Sequence, residues 1–136
     1  MEIRQPFGLP ERYPPTKGAT AGSAGKLSAH AHVPDGFRAG NVLRYTVTLS
    51  NPTKTTVRLD PCPGYSESLY ASGLVVRRSF ALNCRSVHAI PTHGQVEYAM
   101  QLSVPRRAKP GNAKFLWELD TPTGPFAGEV VQVTTG

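Results

Sequence analysis

No stretch of this sequence holds the roughly 18 consecutive apolar residues that a membrane-crossing helix needs, so no membrane span is expected. Helical patterning is missing too: no segment repeats its apolar residues at a period of about 3.6. The chemistry of common active sites is equally sparse. There is no Gly-rich loop of the phosphate-cradling kind. Gly64-Tyr65-Ser66-Glu67-Ser68 half-matches a nucleophile elbow, but its last residue is Ser where the motif needs Gly, and no strand-to-helix context surrounds it. Glu97 and Glu118 fall on separate segments, with nothing to pair them as acid and base. Cysteines number only two, so a Cys-rich zinc module is excluded. Acidic residues are also few, 9 against 15 basic, and the resulting charge of +6 favours anionic partners.

What is present is punctuation. The chain of 136 residues carries 13 Gly and 13 Pro, unevenly placed. Residues 1–26 contain Pro6, Pro10, Pro14 and Pro15, then a Gly/Ala/Ser run from Gly18 to Gly25. Such a stretch buries too little apolar surface to offset its ordering entropy, and reads as a flexible linker or tail ahead of a domain over 27–136. A polyproline ligand would need a PxxP core with flanking anchors, which this stretch lacks.

From Lys26 onward the pattern alternates with a period of two. Leu27, Ala29, Ala31 and Val33 share one face of a first strand. Leu43, Tyr45, Val47 and Leu49 do the same in the clearest segment, and Val57 and Leu59 follow. Weaker strands are predicted over about 68–70 and 73–80. Val96, Tyr98, Met100, Leu102 and Val104 form a second strong run, followed by Phe115, Trp117 and Leu119, and last by Val131 and Val133 within 128–134. Seven to nine short strands with frequent turn signals predict an all-β fold, an immunoglobulin-like antiparallel β-sandwich. Trp117, Tyr45, Tyr98, Phe115 and Met100 are the expected centre of its core.

Cys62 and Cys84 both sit beside turn-forming residues. An even pair in a loop-rich β domain reads as a disulfide, with free buried thiols as the alternative. The bridge would staple an irregular 60–84 excursion to the sandwich and contribute on the order of 3 kcal/mol. A disulfide also predicts an oxidising location, at the cell surface or secreted. The opening Met1-Glu2-Ile3-Arg4-Gln5-Pro6 has no apolar block of a secretory signal, which leaves either a cytoplasmic protein or a leader or membrane anchor ahead of residue 1 in a longer parent, and the cysteine pair favours the second.

Several motifs carry a family likeness: Leu49-Ser50-Asn51-Pro52-Thr53, the run from Val57 to Tyr65, Leu82-Asn83-Cys84, and the Ile90-to-Gly94 lead-in to Val96-x-Tyr98-x-Met100. Over about 27–134 the chain resembles uncharacterised Ig-like domains at the C-termini of actinobacterial membrane-anchored or exported proteins. More loosely, the strand, Asn-Pro-Thr and strand opening is similar to the bacterial intracellular proteinase inhibitor fold. The resemblance implies a fold and a location more than an activity.

Other candidates for chemistry are thin. His30 and His32 lie two apart, on one face of a strand, and Cys84, His88 and His93 follow at spacings of four and five residues. Cys62 is too far upstream to complete the usual zinc pattern, so no metal and no cofactor are expected. Arg77-Arg78 with Arg85, and Arg106-Arg107 with Lys109, lack the interleaved aromatics of a nucleic-acid platform. They read as solvated edge and loop charges, and no nucleic acid is expected. The chain is therefore predicted to be no enzyme but a monomeric extracytoplasmic scaffold or interaction module. Its partner would be a protein or an anionic cell-envelope component. The 60–72 loop, stiffened by the bridge, would hold Tyr65 and Tyr70 for binding, although Tyr65 reads equally well as an internal anchor. The second functional reading is a proteinase-inhibitor-like domain acting through an exposed loop.

Overall fold

A computed structural model of the chain describes residues 2–4, 22–60, 62–85 and 87–135. Among these the strands are β1 (Glu2–Arg4), β2 (Ser28–His32), β3 (Gly36–Arg38), β4 (Val42–Ser50), β5 (Val57–Arg58), β6 (Gly64–Ala71), β7 (Leu74–Ala81), β8 (Ala89–Ile90), β9 (Gln95–Ser103), β10 (Gly111–Leu119) and β11 (Phe126–Thr134). They form a four-stranded sheet ordered β1-β9-β4-β2, a five-stranded sheet ordered β3-β11-β10-β6-β7, and a β5-β8 ribbon. The pairing is antiparallel except for β1 on β9 and β3 on β11. This is the expected all-β sandwich of Ig-like type.

Alternation explains why two sheets face each other. In the four-stranded sheet Leu43, Tyr45, Val47 and Leu49 lie opposite Leu102, Met100, Tyr98 and Val96, so every inward pair is apolar. In the five-stranded sheet Ala113, Phe115, Trp117 and Leu119 of β10 line the inner face, beside Val131 of β11 and Leu69 of β6. The Tyr45 ring meets Phe115 edge-on across the sandwich with centroids 4.6 Å apart, and Tyr65 stacks on Trp117 at 5.6 Å.

The Pro34-Asp35-Gly36 signal turns the chain, and it also transfers it from β2 in one sheet to β3 in the other. Asn51 closes β4 by a different device. Its buried side chain donates to Thr55 O (2.8 Å) and Ile90 O (2.9 Å) while its Oδ1 accepts from the Thr53 N–H (2.9 Å). The Asn-Pro-Thr motif is thus a hydrogen-bonded corner that ties the ribbon to the sandwich.

The 60–84 region, expected to be an irregular excursion with weak strands over about 68–70 and 73–80, is more regular than that. Gly64–Ala71 and Leu74–Ala81 are two long strands, in register from Gly64↔Ala81 to Ala71↔Leu74, joined by Ser72 and Gly73. Gly73 adopts φ 72°, which a side chain would oppose. The Cys62–Cys84 bridge (Cα–Cα 5.9 Å) clamps the open base of this hairpin rather than pinning a loop.

Of the stretch read as a tail, Glu2–Arg4 lies along β9, and Gly22–Lys26 forms a 3-10 turn in which Ala24 is buried. The rest of that reading, over residue 1 and 5–21, lies outside the described residues.

Candidate functional site

β6 is a central strand, and its polar sequence puts unusual groups inside. Tyr65, Glu67 and Leu69 share the inner face, so a carboxyl group enters the core. Glu67 is 1% exposed, lies in register with Trp117, and accepts a hydrogen bond from the Tyr45 hydroxyl of the opposite sheet. Burial pushes its pKa up to about 7, while the Tyr45 hydrogen bond and the exposed Arg78 guanidinium pull it down. Desolvation raises Tyr45 and Tyr65 further above the ordinary phenol range, with the Glu67 charge adding to it, and desolvation alone takes Tyr98 to about 12. A shifted carboxyl marks a reactive site only where a solute can reach it. Glu67 is sealed between the sheets, so this cluster ties them together and does not face a substrate.

Tyr65 needs correcting as a binding residue. It is 3% exposed, in a strand and not a loop, and its ring is held by Phe80 and Trp117. The strand parity that carries Glu67 inward carries Tyr65 with it. Tyr70 has the opposite parity and stands exposed on the outer face.

That outer face is the candidate site. The register lays out three rows across β7, β6, β10 and β11: Val75–Tyr70–Lys114–Val130, Arg77–Ser68–Leu116–Gly128, and Ser79–Ser66–Glu118–Phe126. Phe126 is 68% exposed, Val130 70% and Val75 61%. Between Phe126 and Val130 the missing side chain of Gly128 leaves Leu116 as the floor of an open hollow of about 420 Å³, with Lys114 and Glu129 at its rim. The arrangement offers apolar contact with charges beside it. Sequence reasoning missed Val75, Leu116, Phe126 and Val130. The signal was there: Val75, Leu116 and Val130 are apolar residues out of phase with the inward alternation of their strands.

The histidines are placed as solvent-facing groups. His30 and His32 project from β2 with ring centroids 6.4 Å apart, and His88 and His93 are exposed. Among the described residues no three His, Cys, Asp or Glu side chains come together as a metal site.

The sequence matches no protein-family profile and no curated protein. The fold has structural counterparts. The CARDB domain of a Pyrococcus furiosus protein superposes with a TM-score of 0.52 at 13% identity, over 82% of this chain and 96% of that domain. A segment of the Pseudomonas fluorescens alkylpurine DNA glycosylase AlkC, solved bound to DNA, gives 0.56 at 11% identity, over 81% of this chain and 31% of the enzyme. A segment of the Listeria innocua β-glucosidase, solved with laminaribiose, gives 0.53 at 12%, over 79% and 16%. At these identities the shared property is the Ig-like sandwich.

Proposed function

We propose that this chain is a non-catalytic protein-interaction module of an extracytoplasmic protein, presented on the Pro/Gly-rich stretch that precedes it. It engages a protein partner through the outer face of the five-stranded sheet. The observation that carries this reading is the exposure of Phe126 and Val130 on either side of the Leu116 floor. Apolar side chains grouped on one sheet face, rimmed by charges, are the usual composition of a docking surface. The Cys62–Cys84 bridge supports the location, since disulfides persist in oxidising compartments. The sealed position of Glu67 supports the absence of catalysis, because the most perturbed carboxyl meets no solute.

The test is site-specific photo-crosslinking in the exporting cell. A crosslinking side chain at position 126 should give a discrete protein adduct that Val130→Glu abolishes. The same group at position 30, on the opposite outer face, should give none. Absence of an adduct from 126, or equal adducts from both positions, overturns the reading.

A further inference from the structure

The five-stranded sheet ends on β7, which pairs with β6 on one side and with nothing among the described residues on the other. The phase of its backbone is fixed by one bond beyond the strand: the Leu82 N–H donates to Pro63 O at 2.9 Å. Antiparallel ladders alternate, so Phe80, Arg78, Val76 and Leu74 also bond toward β6. The N–H and C=O groups of Val75, Arg77 and Ser79 therefore face the open side. Arg77 O also accepts a hydrogen bond from Arg78 Nη1 at 2.9 Å.

The edge strand itself carries two basic side chains and no acidic one, while Glu118 and Asp120 share a hollow with Arg77 and Ser79 on the outer face. Arg77 stands on the outer face and Arg78 on the inner face of the same strand, both exposed. Lys114 lies opposite Tyr70, and the Lys109 side chain lies over Gly73 at the hairpin turn. Pairing of two β7 strands about a two-fold axis would bring arginine against arginine, which is destabilising. The edge thus repels a second copy and suits a strand of opposite charge.

We infer that β7 accepts an extended acidic segment of a partner as a sixth strand of the sheet. Main-chain bonds to Val75, Arg77 and Ser79 hold it, and two consecutive acidic residues meet Arg77 and Arg78 on opposite faces. This inference rests on the reading of the chain as a protein-binding module, but it uses the sheet's edge where that reading uses its face.

The probe is a short blocked peptide with a central Glu-Glu pair flanked by Val and Thr, observed by amide hydrogen exchange and chemical shifts of the whole chain. Protection should rise at the Val75, Arg77 and Ser79 amides, while Val76, Arg78 and Phe80 stay as they were. Added salt and Arg77→Glu should each weaken binding, the substitution by about fivefold. Ser79→Pro removes an outward N–H without touching the β6 ladder, so it should lose the peptide while keeping its melting temperature. No protection at millimolar peptide overturns the inference, as does equal binding of polyglutamate without protection at β7, which marks a general polyanion surface. Phe126→Glu with Val130→Glu should leave the peptide bound. If that pair abolishes binding instead, the occupant sits on the face, and the edge inference fails while the docking-face reading stands. Peptide bound at β7 with no adduct from position 126 has the opposite meaning: the edge stands and the face reading falls.

Discussion

At the scale of single residues, the telling side chain is Glu67. Its folded pKa of about 7 lies above the 4.5 of an unperturbed carboxyl, so the folded state holds this proton more tightly than the unfolded chain. Stability from this group is complete below pH 4.5, declines as pH rises through the window from 4.5 to about 7, and is level above it. The linkage is worth up to about 3 kcal/mol. Urea midpoints at pH 5 and pH 8 should therefore differ, with the protein more stable at pH 5. Glu67→Gln keeps the shape and an acceptor for the Tyr45 hydroxyl, so it should remove most of that difference and raise stability at pH 8. A pH dependence unchanged by Glu67→Gln would assign the titration elsewhere. Trp117 is the opposite case, readable from sequence as the core's centre and found fully buried. Trp117→Ala should cost about 3–5 kcal/mol by the loss of stacking on Tyr65 and the cavity left behind.

At the scale of elements, what the sequence displayed depended on whether a strand's inner face is apolar. β4, β9 and β10 were legible because each inward position is apolar and most outward ones are polar. β6 was legible only in part. Its inward positions are Tyr65, Glu67 and Leu69, and its outward Ser66 and Ser68 are buried as well, so no polar/apolar alternation survives in Gly64–Ala71. Neighbours on both sides, β10 and β7, hold the strand in place of its own pattern. The same misreading made the disulfide look like a loop staple. As a clamp at the hairpin base, the bridge should matter most to β6 and β7. Intact mass after alkylation without reductant should show no added alkyl group. Cys62→Ala with Cys84→Ala should lower stability by about 3 kcal/mol, with amide exchange rising first at the Leu82–Pro63 end of the ladder.

At the scale of the whole molecule, period-two alternation gave the fold class, because a sandwich asks only that two faces be apolar. It could not give the sheet to which each strand belongs, since inward residues look alike from either side. The candidate site was hidden for a related reason. An exposed valine such as Val130 beside a buried Val131 reads as more core until the register sets them on opposite faces. The division at residue 26 raises the remaining whole-molecule question, because Glu2–Arg4 crosses back to lie parallel to β9, with Ile3 beside Tyr98. Three residues of edge pairing are small beside the antiparallel β4–β9 ladder, which runs from Val42↔Ser103 to Ser50↔Gln95. The inward residues of β9 pair with inward apolar residues of β4 along that whole ladder, a contact that does not involve β1. Removal of residues 1–21 should therefore leave a cooperative domain whose melting temperature shifts by no more than about 5 °C. It should also keep the Glu67-dependent difference between pH 5 and pH 8, because Tyr45 and Arg78 remain in place. A larger loss, or a broad transition, would make β1 an integral strand of the domain and move its boundary to the start of the chain.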